Sequence, residues 1–370
     1  MAITHLYVDP SIAGNSGTGT IGDPYGDLQY ALDTQVRDAV NGDQFNIKAG
    51  TSEFGAITLL TYGTPTYGAP LVLRGYTATA NDGGIAVLDG GGAAIINEAK
   101  DWIHLIDTRF TNGGANTLVT TRHYGLVEHC QFDTATGYQF LHIQRQSMVL
   151  GCYFVGSPGA RGLFCDSASV RDCYFKIDSG VMAISTFNVA RPFSAFGNII
   201  LLTHASGQGI YCDDGYNTIA HNIIYKSTAG AAAKHGIYDS ANVDSMEAWN
   251  NIIVGFTGAG SLGIKSLVKP YLVGYNAFYN CTANESYSSD PVLDSGGDVA
   301  LGADPFVNAA NGDFSLTAAA KTALRGVGWP GAYLGAHANT DGHITIGPIQ
   351  YGEAEAGAGV YNRAVRLIGA

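Results

Sequence analysis

Four aspartates follow a short motif that begins with glycine, and paired carboxylates are the groups that hydrolyse glycosidic bonds. The motif reads Gly-Leu-Phe-Cys, Gly-Ile-Tyr-Cys and Gly-Ile-Tyr, and it is followed by Asp166, by Asp213 and Asp214, and by Asp239. Glycosidases hold two such carboxyl groups about 5 to 9.5 Å apart. Motifs stacked at the ~4.8 Å spacing of neighbouring strands reach that range. We therefore regard Asp213, Asp214 and Asp239 as candidate catalytic residues, with turn-forming aspartate as the alternative interpretation.

Aromatic side chains occupy the third position of the same motif. If the motif is a strand, side chains alternate, so Leu163, Ile210 and Ile237 point inward and their neighbours form an outer row. Exposed aromatic rings suit the apolar faces of sugars. We expect glycan contacts from this row and the first aspartate, unless a loop or a partner subunit covers them: Phe164, Asp166, Tyr211 and Tyr238, with Met182 and Lys265 extending the row.

Basic residues fall at comparable strand ends earlier in the chain. Arg122 and His123 are followed by His142 and Arg145, and Arg161 lies close by. Elimination from an acidic sugar needs a base and a cation that neutralises the carboxylate. Arg122 and Arg145 are therefore further candidates for glycan contact, and a lyase is a second catalytic hypothesis.

Elements of 21 to 29 residues recur through the middle of the chain. Each contains a four-residue segment such as Gly-Cys-Tyr-Phe, Gly-Asn-Ile-Ile or His-Asn-Ile-Ile, and its second residue recurs at 22, 21, 25, 24, 29 and 25 positions: Cys130, Cys152, Cys173, Asn198, Asn222, Asn251 and Asn276. This period is typical of a solenoid. Short strands in the same order on successive turns pair in parallel, which predicts an all-β chain folded as a parallel β-helix.

The cysteines occupy positions that asparagine takes later in the series. This favours a ladder of small buried residues over a disulfide framework, and Cys165 and Cys212 fit a second ladder. The chain has no Cys-x-x-Cys and no closely paired histidines. We predict no metal and no cofactor. The asparagines are expected to bond from coil to coil.

The ends of the chain differ from the repeats. Residues 1–50 read as a cap, with Leu28, Ala31, Leu32, Val36 and Val40 at helical spacing. A cap covers the open end of a solenoid. We predict a cap with an N-terminal helix at 1–50, a β-helix at 51–350, and an extension at 351–370 that is either a frayed tail or an arm that docks on a neighbouring subunit.

Both ends of this region resemble a known superfamily. The opening motifs are Tyr-Val-Asp at 7–9, Gly-Asp-Pro-Tyr at 22–25 and Gly-Asp at 42–43, and the closing motifs are Ala-Asp-Pro-Phe-Val at 303–307 and Gly-Asp-Phe-Ser-Leu at 312–316. Together they resemble the start and end of right-handed parallel β-helix proteins of the pectate-lyase-like superfamily. The resemblance implies the fold over about residues 6–350. It leaves function open, because the superfamily includes lyases, hydrolases, epimerases and catalytically silent phage tailspikes and other virion proteins.

Composition excludes several classes of function. The formal charge of −12 argues against a nucleic-acid partner. No run approaches the roughly 18 apolar residues of a membrane-spanning helix. The first residues lack the features of a signal peptide, so we expect release by lysis rather than by secretion.

Two classes of function follow. The first is a structural or adhesive protein of a virion surface or tail, extracellular, that contacts a polysaccharide or cell-surface glycan and assembles as a homotrimer or with other virion proteins. The second is an enzyme, a glycoside hydrolase or less favourably a polysaccharide lyase. We favour the first, because no complete catalytic motif is present in the sequence.

Overall fold

The computed structural model describes residues 3–328 except 51, 60–61, 98–99, 115–116, 134–137, 187–190, 214, 231–232, 241–242, 269, 290, 292, 295 and 326. The chain divides into two compact units, Met1–Ala168 and Ser169–Ala370, here called the first and second unit. Both are built as right-handed parallel β-helices with very little α-helix. The predicted fold class is therefore confirmed. The predicted extension at 351–370 lies outside the described residues.

The cap helix is shorter than the sequence predicts. It spans Leu28–Thr34, and the Asp27 side chain accepts a hydrogen bond from the Tyr30 N–H at its start. Leu28, Ala31 and Leu32 are buried, whereas Val36 and Val40 are exposed. The helix ends early because the Asp38 carboxylate accepts hydrogen bonds from the backbone of Val40 and Asn41 and forms a turn instead.

Three parallel sheets form the first unit. From Leu71 onward each coil contributes one strand to each sheet, and neighbouring strands pair in register. Sheet 1 contains Thr4–Val8, Asp43–Lys48, Leu71–Tyr76, Ile103–Ile106, Leu126–Glu128 and Ser147–Leu150. Sheet 2 contains Ser52–Phe54, Ala86–Asp89, Thr108–Thr111, Gln131–Asp133 and Tyr153–Gly156. Sheet 3 contains Ile96–Asn97, Val119–Thr121, Gln139–Ile143 and Arg161–Cys165.

The second unit repeats this plan. Its first sheet contains Ala168–Arg171, which enters this unit at Ser169, and Phe193–Phe196, Gly215–Ala220, Val243–Trp249, Leu272–Gly274 and Leu293–Asp294. Its second contains Tyr174–Ile177, Ile199–Leu202, Ile223–Lys226, Ile252–Val254, Ala277–Tyr279 and Val299–Ala300. Its third contains Met182–Thr186, Gln208–Cys212, His235–Asp239, Leu262–Ser266 and Ala283–Tyr287. An antiparallel pair, Phe306–Asn308 and Asp313–Leu316, flanks the short 3-10 helix Ala309–Asn311, and the helix Ala318–Leu324 follows.

The core of each unit repeats the same inward position in every coil. In the first unit Phe110, Phe132 and Phe154 stack with ring centroids 5.0 and 4.8 Å apart. In the second unit Ile224 and Ile253 lie side by side in register and are fully buried. Each such side chain contributes about 1.5 to 3 kcal/mol on burial. The stack of apolar side chains therefore stabilises the coils against one another.

The predicted ladder is present in the interior. In the second unit the Nδ2 of Asn198, Asn222 and Asn251 donates to the Oδ1 of the asparagine on the next coil, at 2.9 to 3.0 Å. In the first unit the thiols of Cys130 and Cys152 contact backbone carbonyls instead. None of the six cysteines forms a disulfide. Both predictions, the ladder and the reduced cysteines, are confirmed.

A residue with a left-handed backbone conformation precedes each ladder position, and Asp107 has the same conformation one coil before the first of them. These residues have φ between 52° and 68°: Asp107, His129, Gly151, Asp172, Gly197, His221, Asn250 and Tyr275. Glycine adopts this conformation without strain, and asparagine, aspartate and histidine tolerate it better than other residues. The repeated four-residue segment is therefore a tight turn followed by the ladder residue and the start of a sheet 2 strand. His221, which is fully buried, belongs to this turn.

Candidate functional site

A glycine lies two residues before the tyrosine in each of the two strands of the second unit that carry Tyr211 and Tyr238. Tyr211 and Tyr238 lie opposite each other on neighbouring strands, each after a fully buried isoleucine. A Cβ on Gly236 would lie 2.6 Å from the Ile253 Cγ2 atom and 2.7 Å from the Gly263 carbonyl oxygen. Side-chain carbons cannot approach that closely, so the motif begins with glycine because the opposite side of the coil packs against it.

The outer row of the second unit combines aromatic rings with a cation. We call it the second-unit row; it consists of Ser185, Tyr211, Tyr238, Lys265 and Ser286 in matching register. The two tyrosine rings have centroids 5.3 Å apart and are tilted by 45°. The Lys265 Nζ atom lies 5.6 Å from the centre of the Tyr238 ring. The predicted aromatic row exists here, with a lysine at one side.

Met182 does not belong to this row, contrary to the sequence interpretation. Met182 pairs with Gln208, whereas Ser185 pairs with Tyr211. Ala183 consequently takes the place that glycine has in the next coils. The turn before this strand is three residues longer than the segment Gly180-Val181-Met182 suggests. That segment resembles the glycine-led motif of the other coils but lies in the turn, not at the corresponding strand positions.

Asp239 does not lie on the outer surface. It pairs in register with Cys212 and Ser266 and is fully buried, and the Ser266 Oγ donates to its Oδ2 at 2.8 Å. Burial raises the pKa of Asp239 to about 7. The prediction that Asp239 lies beside Asp213 on the outer surface is wrong. Side chains alternate along a strand, and Asp239 directly follows the tyrosine of its motif, whereas Asp213 comes two residues after the tyrosine of its own.

Asp213 is half-buried at the end of its strand. Its Oδ1 accepts a hydrogen bond from the Tyr211 hydroxyl at 3.0 Å, and its backbone N–H donates to the Thr186 hydroxyl at 3.1 Å. On the next coil Ser240 follows the buried Asp239 and donates to the Asp213 carbonyl oxygen. Asp214 lies outside the described residues. The described geometry therefore does not bring Asp213 and Asp239 to one outer surface as a carboxylate pair.

The first unit has its own outer row on sheet 3. We call Thr120, His142 and Phe164, which lie in register, the first-unit row. The Arg161 guanidinium carbon lies 4.2 Å above the centre of the Phe164 ring, and the His142 ring centroid is 4.7 Å from that ring. Burial, reinforced by Arg161, lowers the pKa of His142 to about 4, so this imidazole is neutral at neutral pH.

Charged groups gather at the strand ends beside the first-unit row. The His123 Nδ1 atom is 3.3 Å from the Asp101 carboxylate. Burial raises the pKa of Asp166, and the positive charges of Arg145 and His123 partly offset this effect. Arg122 is exposed at the same end of its strand. Arg145, Asp166 and His123, three of the residues singled out in the sequence, are therefore within electrostatic reach of one another.

One basic residue of the second unit has no counterpart in the sequence interpretation. Lys226 lies at the register position of the buried Leu202 and is itself 3% exposed. Its charge acts on His235, and Lys234 lies near it. The sequence does show a lysine at a repeat position that is apolar in other coils, but it does not show where the ammonium group of that lysine lies.

Two further observations concern the described residues. Within residues 3–328, apart from the gaps given above, no group of three or more His, Cys, Asp or Glu side chains is placed to hold a metal ion. None of the helices in that part of the chain is long and apolar enough to span a membrane.

Comparisons with known proteins bear on the fold. No protein-family model matches the chain, and no curated protein matches it. Among solved structures, the crystal structure of pectate lyase Pel9A is similar, with a TM-score of 0.54 and 15% sequence identity over 94% of this chain and 96% of that one. At this identity the likeness concerns the fold alone, which is a right-handed parallel β-helix.

Proposed function

We propose that this protein is a non-catalytic structural or adhesive protein that contacts glycans through its outer rows, as a component of a virion surface or tail. The observation that carries the proposal is the pairing of aromatic rings with basic side chains on sheet 3 of each unit. Phe164 lies under Arg161, and Tyr238 lies beside Lys265. Aromatic faces pack on the C–H faces of sugar rings, and basic groups donate hydrogen bonds to sugar hydroxyls or carboxylates.

The carboxylates support a non-catalytic role. A glycosidase needs two carboxyl groups that face the same substrate across about 5 to 9.5 Å. Asp239 is enclosed in the coil and Asp213 bonds to Tyr211, the ring that the sugar would contact. Among the described residues of the second unit, the aspartates proposed from the sequence therefore do not form such a pair.

A polysaccharide lyase is the second candidate, favoured by the charged group of the first unit. Arg145 supplies a fixed positive charge that can neutralise a uronate, and Asp166 has a raised pKa beside it. Proton abstraction next to the uronate carboxylate would then need His123 or Asp166 as the base. This mechanism predicts an unsaturated product, whereas the adhesive role predicts binding without turnover.

Binding and turnover can be separated in one set of experiments. The protein is incubated with acidic and neutral polysaccharides, and binding, reducing ends and unsaturated uronates are measured. We expect retention of at least one polysaccharide, weakened at least about tenfold by Phe164→Ala or Tyr211→Ala. Tyr216→Ala is the matched control, because Tyr216 is 58% exposed and lies on a different sheet.

Two results would overturn the proposal. Turnover that disappears in Asp213→Ala would identify a hydrolase, and unsaturated product that disappears in Arg145→Ala would identify a lyase. Absence of binding to every polysaccharide would remove the glycan-contacting role.

The assembly is a separate part of the proposal. We expect a homotrimer in solution, and a monomeric mass at micromolar concentration would contradict it. Ordered copies of the chain on purified particles, detected by labelling, would support the virion location, and a chain absent from particles would contradict it.

A further inference from the structure

Three lysines and a histidine gather where sheet 2 passes into sheet 3 in the second unit. Lys226 ends one sheet 2 strand, and Lys234 and His235 stand at the start of the next sheet 3 strand in the same coil. Lys265 is in the following coil, at the register position of Tyr238. The pKa of His235 is lowered to about 4, first by burial and then by the charges of Lys265, Lys234 and Lys226. The four residues therefore form one electrostatic cluster, which we call the lysine cluster.

The ammonium group of Lys226 is enclosed without a hydrogen-bond partner among the described residues. The residue is 3% exposed, its Nζ atom is buried, and no oxygen or nitrogen of those residues accepts a hydrogen bond from it. It lies 5.5 Å from the centre of the Phe256 ring, and a Cβ on Gly230 would stand 3.3 Å from it. Burial, reinforced by Lys234, lowers the pKa of Lys226 to about 8. A buried ammonium without acceptors destabilises the folded state unless a ligand or another group compensates its charge.

No carboxylate of the described residues forms an ion pair with Lys226, Lys234 or Lys265. This is unusual for a chain with a formal charge of −12, which has an excess of acidic groups to supply. Lys234 is held in place by its own N–H, which donates to the Ser261 hydroxyl at 3.0 Å. The backbone of Lys234 is thus tied to the next coil, and the described part of the chain supplies no carboxylate paired with the three ammonium groups.

His235 adds a donor of defined orientation. Its Nδ1 accepts the Leu262 N–H at 3.2 Å, so the neutral imidazole carries its proton on Nε2. The histidine ring lies 5.2 Å from the Tyr238 ring, within the same group. Three ammonium groups and the His235 Nε2–H are donors, and the one acceptor among these side chains, the His235 Nδ1 atom, is already taken by the Leu262 N–H.

We propose that the lysine cluster binds a tetrahedral oxyanion, the phosphate or sulfate group of an ester. Three cations match a group with three free oxygens and a charge of one to two better than a carboxylate, whose two oxygens and single charge leave cations uncompensated. The site adjoins Tyr238, so a phosphorylated or sulfated glycan is the ligand class that would engage both. Binding of the anion itself does not depend on the glycan-contacting role.

Calorimetric titration with inorganic phosphate, sulfate and acetate at constant ionic strength tests this site. We expect saturable binding of phosphate or sulfate and none of acetate. Lys265→Met and Lys226→Met should each weaken binding about tenfold, because each removes a charge-assisted hydrogen bond. Lys176→Met is the matched control, since Lys176 is half-buried on sheet 2 of the same unit and outside the cluster; it should change the affinity less than about twofold.

The outcomes separate clearly. Stronger binding of phosphate than of sulfate identifies a phosphate ester as the source, and the reverse order identifies a sulfate ester. The proposal is overturned by absence of saturable binding, by equal binding of acetate, or by equal loss in the Lys176→Met control. Because Lys226 is buried, its variant is checked for folding by circular dichroism, and the half-buried Lys265 provides the decisive variant if Lys226→Met does not fold.

Discussion

The two units build the same coil with different polar chemistry. In the first unit basic groups meet carboxylates, as in the Arg74–Asp107 pair at 3.3 Å and the Arg109–Asp133 pair at 2.6 Å. In the second unit three lysines lie together without an ion pair to any described carboxylate. A parallel β-helix needs the inward apolar positions and the turns, and it leaves the outer charges free to vary. Uncompensated charge on such a scaffold therefore indicates a ligand more strongly than the fold itself does.

The interior differs as well. The ladder of the second unit uses asparagine amides that donate and accept, whereas the ladder of the first unit uses thiols with weak hydrogen bonds. Both positions are fully buried. The comparison predicts that the two ladders stabilise their units by unequal amounts.

The largest effect is expected for Asn222→Ala in the second-unit ladder. The amide donates to Asn251 Oδ1 at 3.0 Å and to the Ala195 carbonyl at 2.9 Å, and it accepts from Asn198. Truncation leaves these groups unsatisfied in the interior, so we expect a loss of about 3 to 5 kcal/mol in the free energy of unfolding, measured by urea denaturation. Asn284→Ala, at an exposed position of an outer strand, is the control; a similar loss there would refute a special role for the ladder.

The second effect concerns the buried carboxyl of Asp239. A carboxyl with a raised pKa binds its proton more tightly in the folded state, so stability falls as the pH rises from about 4 to about 7 and stays low above that. Asp239→Asn removes this charge. We expect the variant to be about 2 to 4 kcal/mol more stable than the parent protein at pH 8, with the difference shrinking at pH 4.

Thermal unfolding of both proteins at several pH values measures this difference. Asp213→Asn serves as the matched control, because it removes the same charge from the outer side of the coil. A variant that gains no stability at pH 8 relative to pH 4 would show that the carboxyl is not desolvated in the folded state.

A smaller effect is expected for Cys152→Ala in the first-unit ladder. The thiol contacts the Val127 and Leu150 carbonyl oxygens at 3.4 and 3.3 Å, and a thiol is a weak donor. Loss of its volume and of these contacts should cost about 1 to 2 kcal/mol, measured by the same urea denaturation. A cost as large as that of Asn222→Ala would remove the difference between the two ladders.

The smallest effect is expected for Arg109→Gln. The guanidinium is partly exposed and bonds Asp133 at 2.6 Å. Such pairs contribute less than about 1 kcal/mol and weaken with salt. The variant should unfold within about 1 kcal/mol of the parent protein at physiological salt, and a larger, salt-independent change would mean that charge pairing, rather than packing, stabilises the first unit.

Much of the scaffold follows from sequence because its pattern repeats. The spacing of Cys130, Cys152 and the later asparagines predicts the coils, since only stacked turns place such residues at one buried position. The inward isoleucines and outward tyrosines follow from strand alternation. These features are local in each coil and recur, so one coil predicts the next.

Other features depend on the exact strand register or on the direction of a side chain, which the sequence repeat does not specify. Asp239 and Asp213 differ by one residue, which reverses the side of the strand. Met182 is displaced by a longer turn, and the helix ends before Val36 because Asp38 forms a turn. The enclosure of Lys226 depends on Phe256 and Gly230 from other segments, and no local pattern records that contact.

The side-chain amide dipoles of the asparagine ladder in the second unit are aligned in one direction. The side chains of Asn198, Asn222 and Asn251 each donate one hydrogen bond to the next asparagine along the chain and another to an earlier carbonyl oxygen. At the end of the row the Asn276 backbone N–H donates to the Asp298 carboxylate at 2.7 Å. Aligned amide dipoles add, as they do along a helix, and their positive end meets this exposed anion. The Asp298 carboxylate therefore accepts the last hydrogen bond of the row. Any coil engineered to follow Asn276 would need a hydrogen-bond acceptor at the same position.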